Sequence, residues 1–574
     1  MYILGLNAYH GDAAAALFRD GELVVATEEE RIRRVKHWAG LPVEAVKFCL
    51  QEAGIGAEEL SAITVSRDPM AKMGHKLWYL AKRGLLGKQL GSRIQNSFSI
   101  RKIKGDLAVE LGLDPASWKA EVQYIEHHRS HLASAFMVSP FETAALLSVD
   151  GMGDFTSTMR AIGKGNRIQV LDSVSYPHSL GILYTAFTQY LGFRHYGDEY
   201  KVMGLASYGR PVYLDQLREC VQLLPNGLFR LNPLFFSHFR KGVAMSWEGG
   251  TPALAPLYDD MLEKRFGPAR TPGLPVEDFH RDMAASVQAL CEEVIFYMAA
   301  DLHRKTGLPN LCLAGGVAQN SVANGKLTSR TPFERLYIPP AAHDAGTAAG
   351  SVLYWWHHNK GFPRQGVKAS AYTGAQFSDA EIIAAAEAAG CDYRLCGTDE
   401  LIALAADKLA SGAVVGWFQG RAEFGPRALG NRSILADPRR ADAQHLLNEK
   451  IKRRESFRPF APSILAEAVG DYFEQTDEVP FMEKVFSIRP EKRHLIPAVT
   501  HVDGTGRLQT VHEADNPRYY QLIRRFFDLT GIPILLNTSF NENEPIVNSP
   551  EHALACYLRT QMDVLVMGNV LLSR

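Results

Sequence analysis

The chain has little of what marks a secreted or membrane-embedded protein. No run of about 18 apolar residues occurs, the length a membrane helix needs; the nearest, LIALAADKLASGAVVGWF, is broken by Asp407 and Lys408. The opening MYILGLNAYHG lacks the basic stretch of a signal peptide and reads as a strand that starts a domain. Seven cysteines are scattered over 574 residues without one C-x-x-C pair. That pattern speaks against a disulfide framework and for a reducing cytoplasm. An excess of either charge is missing too. The formal net charge is −1, so the whole molecule gives no reason to expect a nucleic-acid or membrane partner.

What is present is an ordinary globular balance, 46% hydrophobic and 22% charged, long enough for roughly three or four folding units. Strand-like and helix-like runs alternate. MYILGLN, AAALF and GELVVAT read as consecutive strands parted by turn signals at residues 10–12 and 19–21, and VEAVKFCLQEAG as a helix ending on Gly54. AALLSVDGMGD, STMRAIG and RIQVLDSV echo the opening plan, which predicts two similar lobes facing a cleft. Residues 359–376 are rich in Gly, Pro and polar residues, so the domain boundary is placed there, with an N-terminal domain over 1–358 and a second α/β domain over 377–574. Residues 69–105 hold nine Lys or Arg and no acid, interleaved with Trp78, Tyr79 and Phe98. The stretch is either a solvated insertion or a docking surface for an anionic acceptor.

The chemistry begins at EHHRSHLASAF. His127 and His131 are four apart, so a helix places both imidazoles on one face, one turn apart. The glutamate base of a zinc-peptidase motif is missing; position 128 is His. Taken alone, such a pair is more often incidental than ligating. Asp150 ends the strand LLSVD before a Gly-x-Gly turn, and Asp344 follows a Pro-Pro loop and starts a helix. Loops at the carboxyl ends of strands line clefts in open α/β sheets. Two histidines and two carboxylates suit a divalent first-row metal, and iron, manganese and zinc all fit. LAGGVAQN at 313–320 brings Gly315 and Gly316 to a strand end and opens a helix, an arrangement that favours a phosphate of a nucleotide held between two lobes. In the C-terminal half, Arg421, Arg427, Arg432, Lys452, Arg454 and Arg458 lie among Gly, Pro and Phe in QGRAEFGPRALGNRS and KIKRRESFRPFAPSIL. Arginine beside rigid turns is preorganised for phosphate or carboxylate. With LLNTSFN these stretches form a second anion site.

EEERIRRVKH, HHRSHLASAF, VDGMGD, KVMGLASYG, AGGVAQN, GPRALGNRS, FRPFAPSIL, NPRYY and LNTSFN follow one another from end to end of the chain. In this it resembles the O-carbamoyltransferases that modify nodulation factors and antibiotics. The resemblance implies a two-lobed, actin-like or sugar-kinase-like N-terminal domain of the kind in tRNA threonylcarbamoyl transferases, fused to a YrdC-like C-terminal domain. It implies that carbamoyl phosphate and ATP become carbamoyl adenylate in the YrdC-like domain, and that the carbamoyl group then passes to a hydroxyl of a small molecule or glycan. It further implies a metal, iron above others, on His127, His131, Asp150 and Asp344. Lys452, Arg454, Arg507 and Asn537 would bind carbamoyl phosphate or ATP, with Arg421, Arg427 and Arg432 nearby. Lys36, Gly151, Gly153, Gly315, Gly316 and Asn320 would contact the adenylate. The base for the acceptor hydroxyl would be His10, since an imidazole with an ordinary pKa of about 6.5 suits that task. Close relatives place this histidine directly before the aspartate, whereas this chain reads His10-Gly11-Asp12, which leaves Asp12 as the fallback. The family also makes a homodimer plausible.

Two other readings are weighed against this one. A tRNA-modifying threonylcarbamoyl transferase is supported by the basic stretch 69–105 and opposed by the net charge. A non-catalytic actin-like nucleotide scaffold predicts neither turnover nor metal.

Overall fold

The computed structural model describes residues 1–76, 90–364 and 369–574. Trp78 and Tyr79, with the rest of residues 77–89 of the basic stretch, lie outside the described residues, as do residues 365–368 of the linker. The chain forms two compact units. One comprises Met1–Val202, Arg210–Gln319 and Leu327–Ala369; the other comprises Met203–Gly209, Asn320–Lys326 and Ser370–Arg574. The second unit thus takes in two short segments from within residues 1–358. Composition gave no sign of them, because each sits inside an unremarkable helical run.

The first unit holds two five-stranded sheets built to one plan. Strands β1 (Tyr2–Asn7), β2 (Ala14–Arg19), β3 (Glu22–Glu28), β4 (Leu60–Val65) and β5 (Glu121–Tyr124) lie in the order β3-β2-β1-β4-β5. Strands β6 (Thr143–Gly153), β7 (Thr156–Lys164), β8 (Arg167–Ser175), β9 (Asn310–Ala314) and β10 (Arg335–Tyr337) lie in the order β10-β9-β6-β7-β8. In each sheet the first three strands form antiparallel pairs and the last two join in parallel. The echo of pattern in the sequence is therefore a repeated topology. Parallel strands are covered on both faces, which is why β1, β4, β6 and β9 are near-continuous apolar runs.

Two glycines bring the elements of the site together. A Cβ on Gly5 of β1 would lie 2.0 Å from the Ala348 carbonyl, and one on Gly350 would lie 2.0 Å from the Ser130 carbonyl. Helix Thr347–Leu353 can therefore press against β1 on one side and against helix His127–Phe136 on the other. Behind the second sheet runs helix Asp278–Thr306, 29 residues ended by Gly307 in a left-handed cap. It is long and apolar enough to cross a bilayer, unlike any segment picked out by reading runs, but 72% of its apolar window is buried inside the protein, as in a core helix. The run LIALAADKLASGAVVGWF resolves into helix Thr398–Ala410, with Asp407 and Lys408 exposed, and strand Val415–Phe418.

The second unit is centred on an eight-stranded mixed sheet. Its strands, in spatial order, are Arg394–Leu395, Val570–Ser573, Val564–Met567, Val415–Phe418, Arg432–Ala436, Ile534–Ser539, Ala461–Leu465 and Gln509–Val511. Trp417, Leu435, Ile464, Leu535 and Val566 belong to its core, and the amphipathic helix Pro517–Thr530 packs there through Tyr519, Leu522, Ile523 and Phe526.

Candidate active site

Helix His127–Phe136 opens with its functional face. Glu126 caps it by accepting the Arg129 N–H at 2.8 Å, and Asp154 Oδ2 accepts the His127 N–H at 2.9 Å. The i, i+4 spacing brings His127 Nε2 within 3.1 Å of His131 Nε2. Asp150 leaves β6 at an irregularity in its pairing with β7, between Val149 and Gly153, and puts Oδ2 3.3 Å from His127 Nε2. Its other oxygen accepts the Gly316 N–H at 2.9 Å. Asp344 starts the turn before helix Thr347–Leu353, and its Oδ1 lies 3.4 Å from His127 Nε2 and 3.3 Å from His131 Nε2. All four side chains are buried, and their ligating atoms lie within 4.8 Å of one another.

The donor set could hold a cation. Two imidazole nitrogens 3.1 Å apart cannot both carry a hydrogen toward each other. Two buried carboxylates are costly unless positive charge compensates them, whether from the histidines around them or from a bound ion. Asp344 Oδ1 is buried with no hydrogen-bond partner although it faces both ring nitrogens. Burial disfavours the carboxylate form of Asp344, yet His10, His127 and His131 hold its pKa well below the ordinary value. Burial likewise opposes charge on His127, but the adjacent carboxylates of Asp150 and Asp344 outweigh this and push its pKa well above 6.5. Burial keeps His131 below the ordinary value. Two nitrogen and two hard oxygen donors fit a divalent first-row metal.

His128 turns away from this cluster. Its Nδ1 pairs with Ser148 Oγ at 2.9 Å, and burial followed by the two neighbouring histidines holds its pKa far below 6.5.

The offset histidine reaches the site after all. Tyr9 and Asp12 are both left-handed, with φ of 54° and 56°, and the loop between them points His10 inward. His10 Nδ1 lies 2.5 Å from Asp344 Oδ2. Asp12 instead pairs with His37, Oδ1 to Nδ1 at 2.7 Å. His37 follows Lys36, which is exposed. Its spacing from Asp12 gave no sequence signal, and neither did Tyr196, whose hydroxyl packs on Gly11 and whose ring meets His37 edge-on.

Of the glycines expected at an adenylate, Gly153 and Gly316 lie against the cluster. A Cβ on Gly153 would lie 2.1 Å from the His127 ring. Gly151 has open space around it and accepts the Ser179 hydroxyl at its carbonyl, at 2.6 Å. The amide of Gly315 donates to the Ala342 carbonyl at 2.8 Å and that of Gly316 to Asp150, so both are engaged. Asn320, in the second unit, accepts the Ala323 N–H at 3.0 Å.

In the second unit the predicted cations divide into two groups. Arg507 is surrounded by Arg427, Arg454 and Arg458, and burial followed by these three like charges holds its pKa well below the ordinary arginine value. Arg454 is braced by Asn448 Oδ1 at 2.7 Å and lies over the Phe460 ring. Arg421 donates to the carbonyls of Thr373 and Gly374. Arg432 and Lys452 form the second group, each held by oxygens of its own unit. The Arg432 guanidinium is fully buried, donates to the carbonyls of Gln419, Gly420, Asn431 and Ala375, and stacks on Phe418 at 3.7 Å. The ammonium of Lys452 is spent on the Ser539 carbonyl at 2.5 Å and on the carbonyl and side-chain oxygens of Asn541 at 2.8 and 2.6 Å. Both tie strand ends together through these bonds, Arg432 by its two Nη groups and Lys452 by its ammonium. Asn537 donates to Ala428, Ser463 and Gln509 and keeps Oδ1 buried without a partner.

Comparison with known proteins settles the lineage. The carbamoyltransferase N-terminal profile matches residues 2–353 and the C-terminal profile residues 406–574. The chain belongs to the carbamoyltransferase family. This carbamoyltransferase is 42% identical, over all of its length and 97% of the relative, to an uncharacterised protein of Synechocystis. It is 38% identical to the nodulation protein NolNO of Sinorhizobium fredii, over 99% of this chain and 80% of that one. A 3'-hydroxymethylcephem-O-carbamoyltransferase of Amycolatopsis lactamdurans is 36% identical over 48% of this chain and 52% of that enzyme.

Proposed function

We propose that the protein is an ATP-dependent O-carbamoyltransferase that makes carbamoyl adenylate from carbamoyl phosphate and ATP and passes the carbamoyl group to a hydroxyl of a small molecule or glycan. The observation that carries the reading is the pairing of family membership with a buried two-histidine, two-aspartate cluster beside His10. The nodulation and cephem relatives favour a hydroxylated small molecule or glycan as acceptor.

The atoms balance in two stages. Water cleaves carbamoyl phosphate to carbamate and phosphate; a carbamate oxygen then attacks the α-phosphorus of ATP, and pyrophosphate leaves. We assign this stage to the second unit, whose expected YrdC-like role suits the convergence of Arg427, Arg454, Arg458 and Arg507, guanidiniums that match phosphate oxygens. In the second stage the acceptor oxygen attacks the carbamoyl carbon, AMP leaves with the former carbamate oxygen, and the hydroxyl proton goes to a base. His10 is the base of choice, because Asp344 at its Nδ1 fixes the ring and leaves Nε2 for the proton. A divalent metal, Fe(II) being the first candidate, would be held by His127, His131, Asp150 and Asp344 and would supply Lewis acidity toward the carbamoyl or phosphate oxygens. Gly316 orients Asp150 for that task, and Lys36 supplies a cation for the adenylate.

The test is pyrophosphate release by the purified chain. Release from ATP only when carbamoyl phosphate is present supports the reading; a requirement for threonine and bicarbonate sinks it. Acceptors are then found by screening hydroxylated small molecules and glycans for the mass of one added carbamoyl group.

A further inference from the structure

The loop that carries His10 is held from outside. Asn7 Nδ2 donates to the carbonyls of Gly11 and Asp12, each at 3.0 Å, and Arg67 Nη1 donates to the Tyr9 carbonyl at 3.0 Å. Two backbone bonds join it to the 37–40 loop: Tyr9 N–H to the Gly40 carbonyl at 3.0 Å and Ala13 N–H to the Trp38 carbonyl at 2.8 Å. One side-chain bond crosses between these same loops, from His37 Nδ1 to Asp12 Oδ1 at 2.7 Å. Both partners sit in the left-handed region, Asp12 at φ 56° and His37 at 55°. Side chains other than glycine persist there only where the surroundings over-determine them. For His37 the surroundings are specific. Its N–H donates to Glu30 Oε2 at 2.8 Å, its ring meets Tyr196 edge-on at 5.3 Å, and Gly197 leaves the space its Nε2 edge needs, since a Cβ there would be 2.3 Å away. Lys36 and Glu199 are the other charged groups that act on it.

We propose that His37 is a positioning residue: its bond to Asp12 locks the 9–13 loop in its left-handed turn, so that the His10 ring rests against Asp344. This explains how His10-Gly11-Asp12 delivers a histidine to the cluster despite the extra glycine. Asp12 no longer serves the acceptor; it is the anchor of the loop. The proposal rests on the reading of His127, His131, Asp150 and Asp344 as metal ligands only for its second readout.

The experiment uses the full chain with His37→Gln, Asp12→Asn, both together, and His10→Gln. The first readout is the His10 side-chain ¹H–¹⁵N correlation in metal-free protein, identified by its loss in His10→Gln. It should move in His37→Gln and in Asp12→Asn, and by no more in the double variant. The second is Co²⁺ titration followed by d–d absorption. Each single variant should reproduce the spectral change of His10→Gln and weaken Co²⁺ binding by about 10-fold, as loss of an outer-sphere support does. A folded His37→Gln protein with the wild-type His10 correlation and Co²⁺ spectrum overturns the proposal. Should His37→Gln fail to fold, Asp12→Asn decides in the same way. A wild-type chain that takes up no Co²⁺ sinks the metal reading, and the His10 correlation alone then decides for or against His37.

Discussion

His127 Nε2 and His131 Nε2 stand 3.1 Å apart across one helical turn, with Asp344 Oδ1 3.4 and 3.3 Å from them. The third histidine of the same turn pairs with Ser148. His127→Ala and His131→Ala should each abolish stoichiometric metal in the purified protein. His128→Ala should retain it while losing about 2 kcal/mol of stability, the cost of a buried hydrogen bond and a small cavity. Metal analysis and thermal unfolding of the three variants check this; metal loss in His128→Ala alone would contradict it.

Close packing sets the second prediction. Gly153 lies so near the His127 ring that a Cβ would come within 2.1 Å, whereas Gly151, two residues earlier, has open space. Gly153→Ala should displace His127, lower metal affinity by 10-fold or more on the order of a lost supporting contact, and destabilise by about 1–3 kcal/mol through overpacking. Gly151→Ala should leave both metal content and melting temperature close to wild type.

Much of this site was legible in the sequence because it rests on local rules. A helical i, i+4 pair, two aspartates at strand ends and a repeated strand plan are periodicity and position, and the structure brings His127, His131, Asp150 and Asp344 together. What stayed hidden depends on distance in the fold. Nothing in the sequence ties His37 to Asp12, or Ser130 to Gly350, because those pairs arise only when separate loops and helices pack. The surroundings of Arg432 and Lys452 stayed hidden for the same reason. A cation among Gly and Pro looks available until the fold shows which carbonyls already surround it.

Ionisation supplies the third prediction. Burial works against charge on His37, but Asp12 and then Glu30 push its pKa up to about 9, while His37 holds Asp12 below the ordinary carboxylate value. For His37 the folded value is above the unfolded 6.5, so its contribution is full below about 6.5 and is lost as pH rises through 9. For Asp12 the folded value is depressed, so its contribution is present above about 4 and is lost as pH falls through the lower folded value. A shift of this size sets a ceiling of about 3 kcal/mol, and screening at a side chain 29% exposed reduces it to about 1–2 kcal/mol. The stability difference between wild type and His37→Gln, measured by urea unfolding, should therefore be largest from about pH 5 to 7 and shrink by pH 10. A difference that grows with alkaline pH would be inconsistent with the pair.

The arginines of the second unit carry the last prediction. Arg507 is pressed by Arg427, Arg454 and Arg458, so its charge is unfavourable until an anion arrives. Arg507→Met should therefore leave the free protein as stable as wild type or more so. It should also remove the rise in melting temperature that phosphate or pyrophosphate gives the wild type. At ten times its dissociation constant such an anion adds about 1.4 kcal/mol, or about 3 °C for a unit of this size. Arg432→Met should behave in the opposite way. Four carbonyls lose their donor when that buried guanidinium is removed, which costs about 3 kcal/mol or more with or without anion. Thermal unfolding of both variants, with and without phosphate at ten times its dissociation constant, distinguishes a ligand-binding arginine from a structural one. If Arg507→Met keeps the full phosphate response, Arg507 is no part of the anion site and the adenylation step must be placed elsewhere.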